Sequence, residues 1–343
     1  MEMREKTYRS LAAIVALAAM MLVSAGCGSL RSGSGEGGAW RFVVLGDSRG
    51  NDDGVNLPVL QELAHAVARE RPAFVLFSGD LVIGGAGTNA VERQLLLWRR
   101  VFDEPLQAAG IPVYAVRGNH DVAGSQDEAL TMWNRVFSGR FVMPWNGPTN
   151  QTGVTYWFQY RNALFVNLDD YVDPKGVDAA WAARQFAEHP ATHVFMQAHP
   201  SAYSLDPGHS QTLDRWPETR DALVTSFMAA GGVAYFCGHD HVYDHARIRV
   251  DGKDLHQFVA GTAGAPLLKA GGAYRDARAT NVANASCFGY LVADVRGREV
   301  SLVMKRLGAD GTSAIVDRFS YTASPRIGAP LARPATAAPS GAP

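Results

Sequence analysis

Five short blocks in this chain place Asp, Asn or His directly after an apolar run. Each of those side chains offers a lone pair that can hold a metal ion. The blocks are Gly46-Asp47-Ser48-Arg49, Gly79-Asp80, Gly118-Asn119-His120-Asp121, Ala198-His199-Pro200 and Gly238-His239-Asp240-His241. The runs before them are Phe42–Leu45, Phe74–Phe77, Val113–Val116, His193–Met196 and Val233–Phe236. Taken singly, Gly-Asp is a common turn pair, and Asn119 could equally be a turn residue. Five in series, each closing an apolar run, point to ligands that converge on one metal site.

Short apolar runs rich in Val and Phe predict strands buried on both faces. In α/β sheets, ligand sites lie at the carboxyl ends of such strands. Leu60, Leu63, Ala64 and Val67 keep helical spacing and predict a helix over 56–70; Val91, Leu95, Trp98 and Phe102 predict another over 89–107. The first three blocks are roughly thirty to forty residues apart, the length of a strand–helix–strand unit with parallel strands. Farther on, 155–160 and 163–168 flank Arg161-Asn162 as a hairpin with a two-residue turn. A helix over 222–228 is followed by antiparallel strands over 246–250, 255–260, 288–295, 299–304 and 314–321, with turns at Asp251-Gly252 and Asp310-Gly311.

In this order the blocks resemble the calcineurin-like metallophosphoesterase superfamily, whose pattern is D-x-H, G-D, G-N-H-[DE], H and G-H-x-H. The resemblance covers roughly 41–321. It implies an α/β fold, a four-layer α-β-β-α sandwich of two mixed sheets flanked by helices. It also implies hydrolysis of a small phosphoester by a hydroxide bound between two divalent or trivalent metal ions (Fe, Mn or Zn). By the same resemblance, Asp47, Asp80 and His241 hold the first metal and Asn119, His199 and His239 the second, with Asp80 as the bridge. His120 stabilises the transition state or protonates the leaving oxygen. Asp121 orients its imidazole, caps the next helix, or does both. The segment from His199-Pro200-Ser201-Ala202-Tyr203 to Trp216 and the small-residue loop Gly261–Ala265 resemble loops near the family's site. His209, in the first of these, either reaches substrate or is solvated. His65, His189, His193 and His256 are expected to have no catalytic role.

The pattern departs at Arg49, where the family usually has His. A guanidinium stays protonated and cannot ligate a metal. The purple acid phosphatase branch also lacks that His, but carries a Tyr where this chain has Ile83. Arg49 is therefore expected to contact the substrate phosphate and to weaken the first metal site, or else to pair with Asp52 or Asp53. Two alternatives stand beside a monoesterase: a phosphodiesterase acting on cyclic nucleotides or phospholipid head groups, and a binding protein of the same fold that has lost activity.

The chain has 343 residues, 47% of them hydrophobic, and a net charge of −1. There is no basic stripe, so nucleic acid is not an expected partner. Arg4, Lys6 and Arg9 precede an apolar stretch, Leu11–Val23, too short to span a bilayer comfortably. Ser24-Ala25-Gly26-Cys27 resembles a bacterial lipobox with Ser24 in place of the usual Leu. The expectation is a lipoprotein-type signal over 1–26, lipid on Cys27, a Gly/Ser tether over 27–38, the catalytic domain over 39–322 and a disordered Pro/Ala-rich tail over 323–343. Such a protein is exported and membrane-anchored, facing the periplasm or the cell exterior. The other reading is an ordinary secretory signal cut near Ala25, which leaves Cys27 a free thiol. Cys237 and Cys287 either pair or are two small buried thiols.

Overall fold

A computed structural model describes residues 38–172, 176–206, 208–308 and 312–324. The signal segment, Cys27, nearly all of the tether, the Asp310-Gly311 turn and the tail from 325 lie outside the described residues.

Each apolar run forms a strand. In chain order the main strands are β1 Trp40–Leu45, β2 Phe74–Phe77, β3 Val113–Ala115, β4 Tyr156–Tyr160, β5 Ala163–Leu168, β6 His193–Ala198, β7 Ala234–Cys237, β8 Tyr243–Val250, β9 Lys253–Ala260, β10 Ala279–Ala285, β11 Gly289–Arg296, β12 Glu299–Leu307 and β13 Ser313–Thr322. One sheet runs β13-β12-β11-β1-β2-β3 and the other β10-β8-β9-β7-β6-β5-β4. β1, β2 and β3 are mutually parallel, as are β5, β6, β7 and β9, while the outer strands pair antiparallel.

Strand alternation explains the layers. On β1, Phe42 and Val44 point between the sheets, where they meet Phe165, Phe195 and Phe236 of the other sheet. Val43 and Leu45 point the opposite way, into a core shared with the helices α1 Leu57–Glu70, α2 Thr88–Trp98 and α4 Gln126–Val136. The second sheet packs its outer face on α5 Ala179–Glu188 and α6 Pro217–Ala229. The result is the expected four-layer sandwich of two mixed sheets between helices. The inter-sheet layer is dense in rings: Phe42 lies 5.5 Å from Phe74, 5.2 Å from Phe165 and 5.1 Å from Phe195.

The predicted helix over 89–107 is interrupted. α2 passes through a π-turn at Arg99–Asp103 into the short helix α3 Glu104–Ala108. Glu104 donates its N–H to the carbonyl of Arg99, five residues back. Pro105 has no N–H for the regular ladder, and the wider turn accommodates that loss. Asp103 sits in this turn fully buried, and burial pushes its carboxyl up to about 7. A folded value above the unfolded one means the fold is most stable where Asp103 is protonated, with stability falling as pH rises from about 4 to about 7. Asp103→Asn is therefore expected to be more stable than the parent at pH 8 by ~1–3 kcal/mol, with the gap closing towards pH 4. Denaturant melts at the two pH values check this; a pH-independent gap contradicts it.

Three elements had no predicted bounds. Helix α4 opens on Ser125, which accepts from the Glu128 N–H while the Glu128 carboxylate accepts from the Ser125 N–H. Helix α5 is capped by Asp178. Strand β10 is an edge strand of Ala, Asn and Thr with no apolar run to announce it. Cys237 and Cys287 are both free and buried, so they are two thiols and not a disulfide. No helix among the described residues is long and apolar enough to cross a membrane.

Candidate metal centre

The five blocks meet where the parallel strands of both sheets end. Asp47 follows β1, Asp80 follows β2, Asn119 follows β3, His199 follows β6, and His239 and His241 follow β7. Three of these six residues have left-handed backbone: Asp47 (φ 62°), Asp80 (φ 51°) and His239 (φ 72°). Non-glycine residues seldom adopt that region, and strain of this kind is held where side chains must be aimed. Gly118 and Gly238 are glycine because of close approach. A Cβ on Gly118 would strike the carboxylate of Asp80, and one on Gly238 that of Asp47.

Two ligand clusters result. Asp80, His199 and His239 form one, and Asp47, Asp80 and His241 form the other, with all donor atoms in each within 4.8 Å of one another. Asp80 belongs to both, as a bridge requires. Asn119 joins the first of these clusters, its Oδ1 3.3 Å from His199 Nε2. His239 Nδ1 lies 3.1 Å from the same nitrogen, and Asp80 Oδ1 3.4 Å from it.

The donor set fits metal. His199 gives its Nδ1–H to the Ser78 carbonyl at 2.7 Å, and His241 gives its own to the Pro266 carbonyl at 3.1 Å. In each ring this leaves the Nε2 lone pair facing the cluster, the arrangement backbone carbonyls impose on ligating imidazoles. Burial holds His199, His239 and His241 down to about 3, aided at His239 by His199 and at His241 by Arg49, so all three are neutral donors. Burial also pushes Asp47 well above the usual carboxylate range, and repulsion from Asp80 adds to it. A cation between these carboxylates relieves both penalties.

Arg49 points into this site and pairs with neither Asp52 nor Asp53; Asp52 accepts instead from the Leu57 N–H. Arg49 Nε and Nη2 lie 3.2 and 3.1 Å from His241 Nε2, and Nε lies 3.8 Å from Asp80 Oδ2. His120 Nε2 lies 3.9 Å from that same oxygen. Arg49 and His120 thus flank the shared carboxylate.

Asp121 does not orient His120 and does not cap the next helix. Its carboxylate accepts from the N–H groups of Gly118, Leu81 and Val82 and clasps the second and third blocks together. The His120 ring is held by the Ile83 carbonyl, 2.7 Å from Nδ1. Behind the third block, Arg117 and Asp169 form a bidentate pair with no exposure on either side chain. The Gly261–Ala265 loop packs as expected: Ala263 and Ala265 donate to the carbonyls of Gly46 and Asp47.

His209 is at the site and not merely solvated. Its ring centroid is 4.9 Å from those of both His239 and His241. Asp240, buried between the two ligand histidines, fixes it by accepting from its backbone N–H at 2.8 Å and from Nδ1 at 3.1 Å. Asp240 is the acidic residue inside the fifth block, and that was the one sequence signal for a partner here.

A four-layer sandwich with a shared carboxylate between two clusters at its strand ends is the frame of a binuclear metallohydrolase. A family model for calcineurin-like phosphoesterases matches residues 41–243, and the chain belongs to that family. Members work with two divalent metal ions, which the two clusters accommodate. Among solved structures, a purple acid phosphatase, PPD1, from yellow lupin (Lupinus luteus) seeds matches at a TM-score of 0.61 and 16% identity, over 83% of this chain and 54% of that one. PhoD matches at 0.60 and 12%, over 83% and 70%. A dimetal phosphatase from Danio rerio matches at 0.51 and 13%, over 83% and 99%. The chain spans about half the length of the lupin structure, and at these identities the likeness is one of fold. No curated protein matches in sequence.

Proposed function

We propose that the protein hydrolyses phosphate monoesters, with the phosphoryl group held over Asp80 between Arg49 and His120. The observation that carries this reading is that both side chains flank one oxygen of the shared carboxylate, at 3.8 and 3.9 Å. The metal pair, when bound, supplies Lewis acidity towards the phosphate oxygens and an acidified water. Asp80 would be shared by the two ions, and Asp47, Asn119 and the three imidazoles would complete their ligands. Arg49 presents its forked donors to phosphate oxygens. His120 donates its Nδ1–H to the Ile83 carbonyl, so Nε2 is the nitrogen left to hand a proton to the leaving oxygen when the ring is an imidazolium. His209, fixed by Asp240, adds a further imidazole beside His239 and His241.

Arg49 also distinguishes the two metal positions. Its guanidinium already engages the ligand nitrogen of His241, so a cation there must displace it and tolerate its charge. One ion is therefore expected to bind tightly, to Asp80, Asn119, His199 and His239, and the other weakly. Arg49→His is expected to tighten the weak ion by about tenfold or more, the scale on which groups next to ligands tune affinity, and to raise KM for a phosphoester. Calorimetric metal titration of parent and variant checks the first effect. Two ions of equal affinity in both proteins contradict it.

The exported, lipid-anchored state is part of this proposal and rests on the N-terminal sequence. The mature protein is expected to begin at Cys27 and to carry acyl mass. Intact mass of protein from the native host checks it, and a mature chain with another first residue and no acyl mass refutes the anchor.

A further inference from the structure

Two clefts meet at the short turn Leu213–Arg215, which is tied to the segment after His199 by the Leu213 N–H donating to the Ser201 carbonyl at 3.0 Å. The smaller has a volume of about 210 Å³ and the larger about 570 Å³, and Thr212 and Arg215 line both. The smaller cleft is lined by Tyr171 and by Gln211, two residues beyond His209.

Charge is unevenly settled along these walls. Asp214, Asp221 and Asp276 are all engaged by Arg220 and Arg278, with Arg220 bonded to Asp214, 2.8 Å from Asp221 and 3.2 Å from Asp276, and Arg278 3.0 Å from Asp221 and 2.7 Å from Asp276. Tyr203 is packed between the two guanidinium groups, at 4.6 and 5.3 Å. This network ties the wall of the cleft to the 275–278 segment. It leaves Arg215 and Arg275, which line the larger cleft together, without a carboxylate partner among the described residues. Arg215 lies 5.6 Å from the Trp216 ring. Arg215 and Arg275 are both exposed where they line this cleft, and their forked donors match an oxyanion.

We infer that these clefts form the leaving-group subsite and that Arg215 and Arg275 bind a second oxyanion, phosphate or carboxylate, carried by the alcohol portion of the substrate. This rests on the phosphoesterase reading above and extends it to a substrate class: small phosphoesters with an anionic group at the far end.

The test compares fructose 1,6-bisphosphate, 6-phosphogluconate and fructose 6-phosphate on the full metal-loaded chain, with p-nitrophenyl phosphate as a general substrate. The bisphosphate is expected to exceed fructose 6-phosphate in kcat/KM by about tenfold or more, expressed in KM, as for charge-assisted contacts. The double variant Arg215→Ala/Arg275→Ala is expected to bring that ratio close to one. Matching preference for 6-phosphogluconate assigns the subsite to oxyanions in general, and its absence assigns it to phosphate. A parent without preference, or a preference kept in the double variant, overturns the subsite. Failure to hydrolyse all four substrates overturns the phosphoesterase reading instead. Equilibrium dialysis of the two fructose phosphates against chelator-treated protein then decides the subsite on its own. Tighter retention of the bisphosphate by the parent than by the variant supports it, and equal retention overturns it.

Discussion

Asp80→Asn is expected to lower phosphoester turnover on the order of 10³-fold or more, because metal assistance supplies several kcal/mol of transition-state stabilisation. Asp80 is the residue common to both clusters, so one substitution weakens both sites. Asparagine keeps the oxygen that accepts from the His120 N–H at 3.0 Å, which preserves the local backbone. It removes the negative charge that both ions share. It also removes the repulsion that Asp80 exerts on the buried carboxyls of Asp47 and Asp121. The metal-free variant is therefore expected to melt no lower than the metal-free parent, while added divalent ion raises the melting temperature of the parent alone. Chelation of the parent is expected to remove activity to the same degree. Activity retained in demonstrably metal-free parent protein would falsify the two-metal assignment, and a variant that still binds two ions with parental affinity would remove Asp80 as the shared ligand.

The sequence carried the strands and the ligands for one physical reason. Strands buried on both faces must be apolar throughout, so they stand out, and the polar residues that break them stand out equally. Phe42–Leu45 followed by Asp47 is legible in that way. The left-handed backbone of Asp47, Asp80 and His239 is not, because no side-chain pattern encodes it. The role of Asp121 was misjudged because adjacency to His120 suggested a pair. The turn at 118–121 instead sends its carboxylate inward to three backbone N–H groups, a need invisible in a linear chain. His209 stays undecided in the sequence for the converse reason. It lies in a polar loop, and only the tertiary contact with Asp240, 31 positions on, brings it to the metal ligands. β10 was missed because an edge strand need not be apolar. The Arg215 and Arg275 cleft was hidden because which arginines stay unpaired depends on which carboxylates the fold gives to their neighbours.

His120→Ala is expected to lower turnover by about 10²–10⁴-fold on alkyl phosphates, the range for loss of a positioned general acid. The loss is expected to be much smaller on p-nitrophenyl phosphate, whose leaving oxygen departs without a proton. The geometry supports this split. The ring is partly exposed at the mouth of the site, and Nδ1 is anchored 2.7 Å from the Ile83 carbonyl. Nε2 faces the cleft 3.9 Å from Asp80 Oδ2, opposite Arg49. No ligand cluster includes His120, so its removal is expected to leave metal content at the parental level. Elemental analysis beside steady-state rates on the two substrates separates the possibilities. Equal losses on both substrates would show that His120 holds the phosphoryl group and not the leaving oxygen. Metal lost in step with activity would make it a ligand. Unchanged turnover of an alkyl phosphate would remove it from catalysis and leave His209, held by Asp240 beside His239 and His241, as the next imidazole to test.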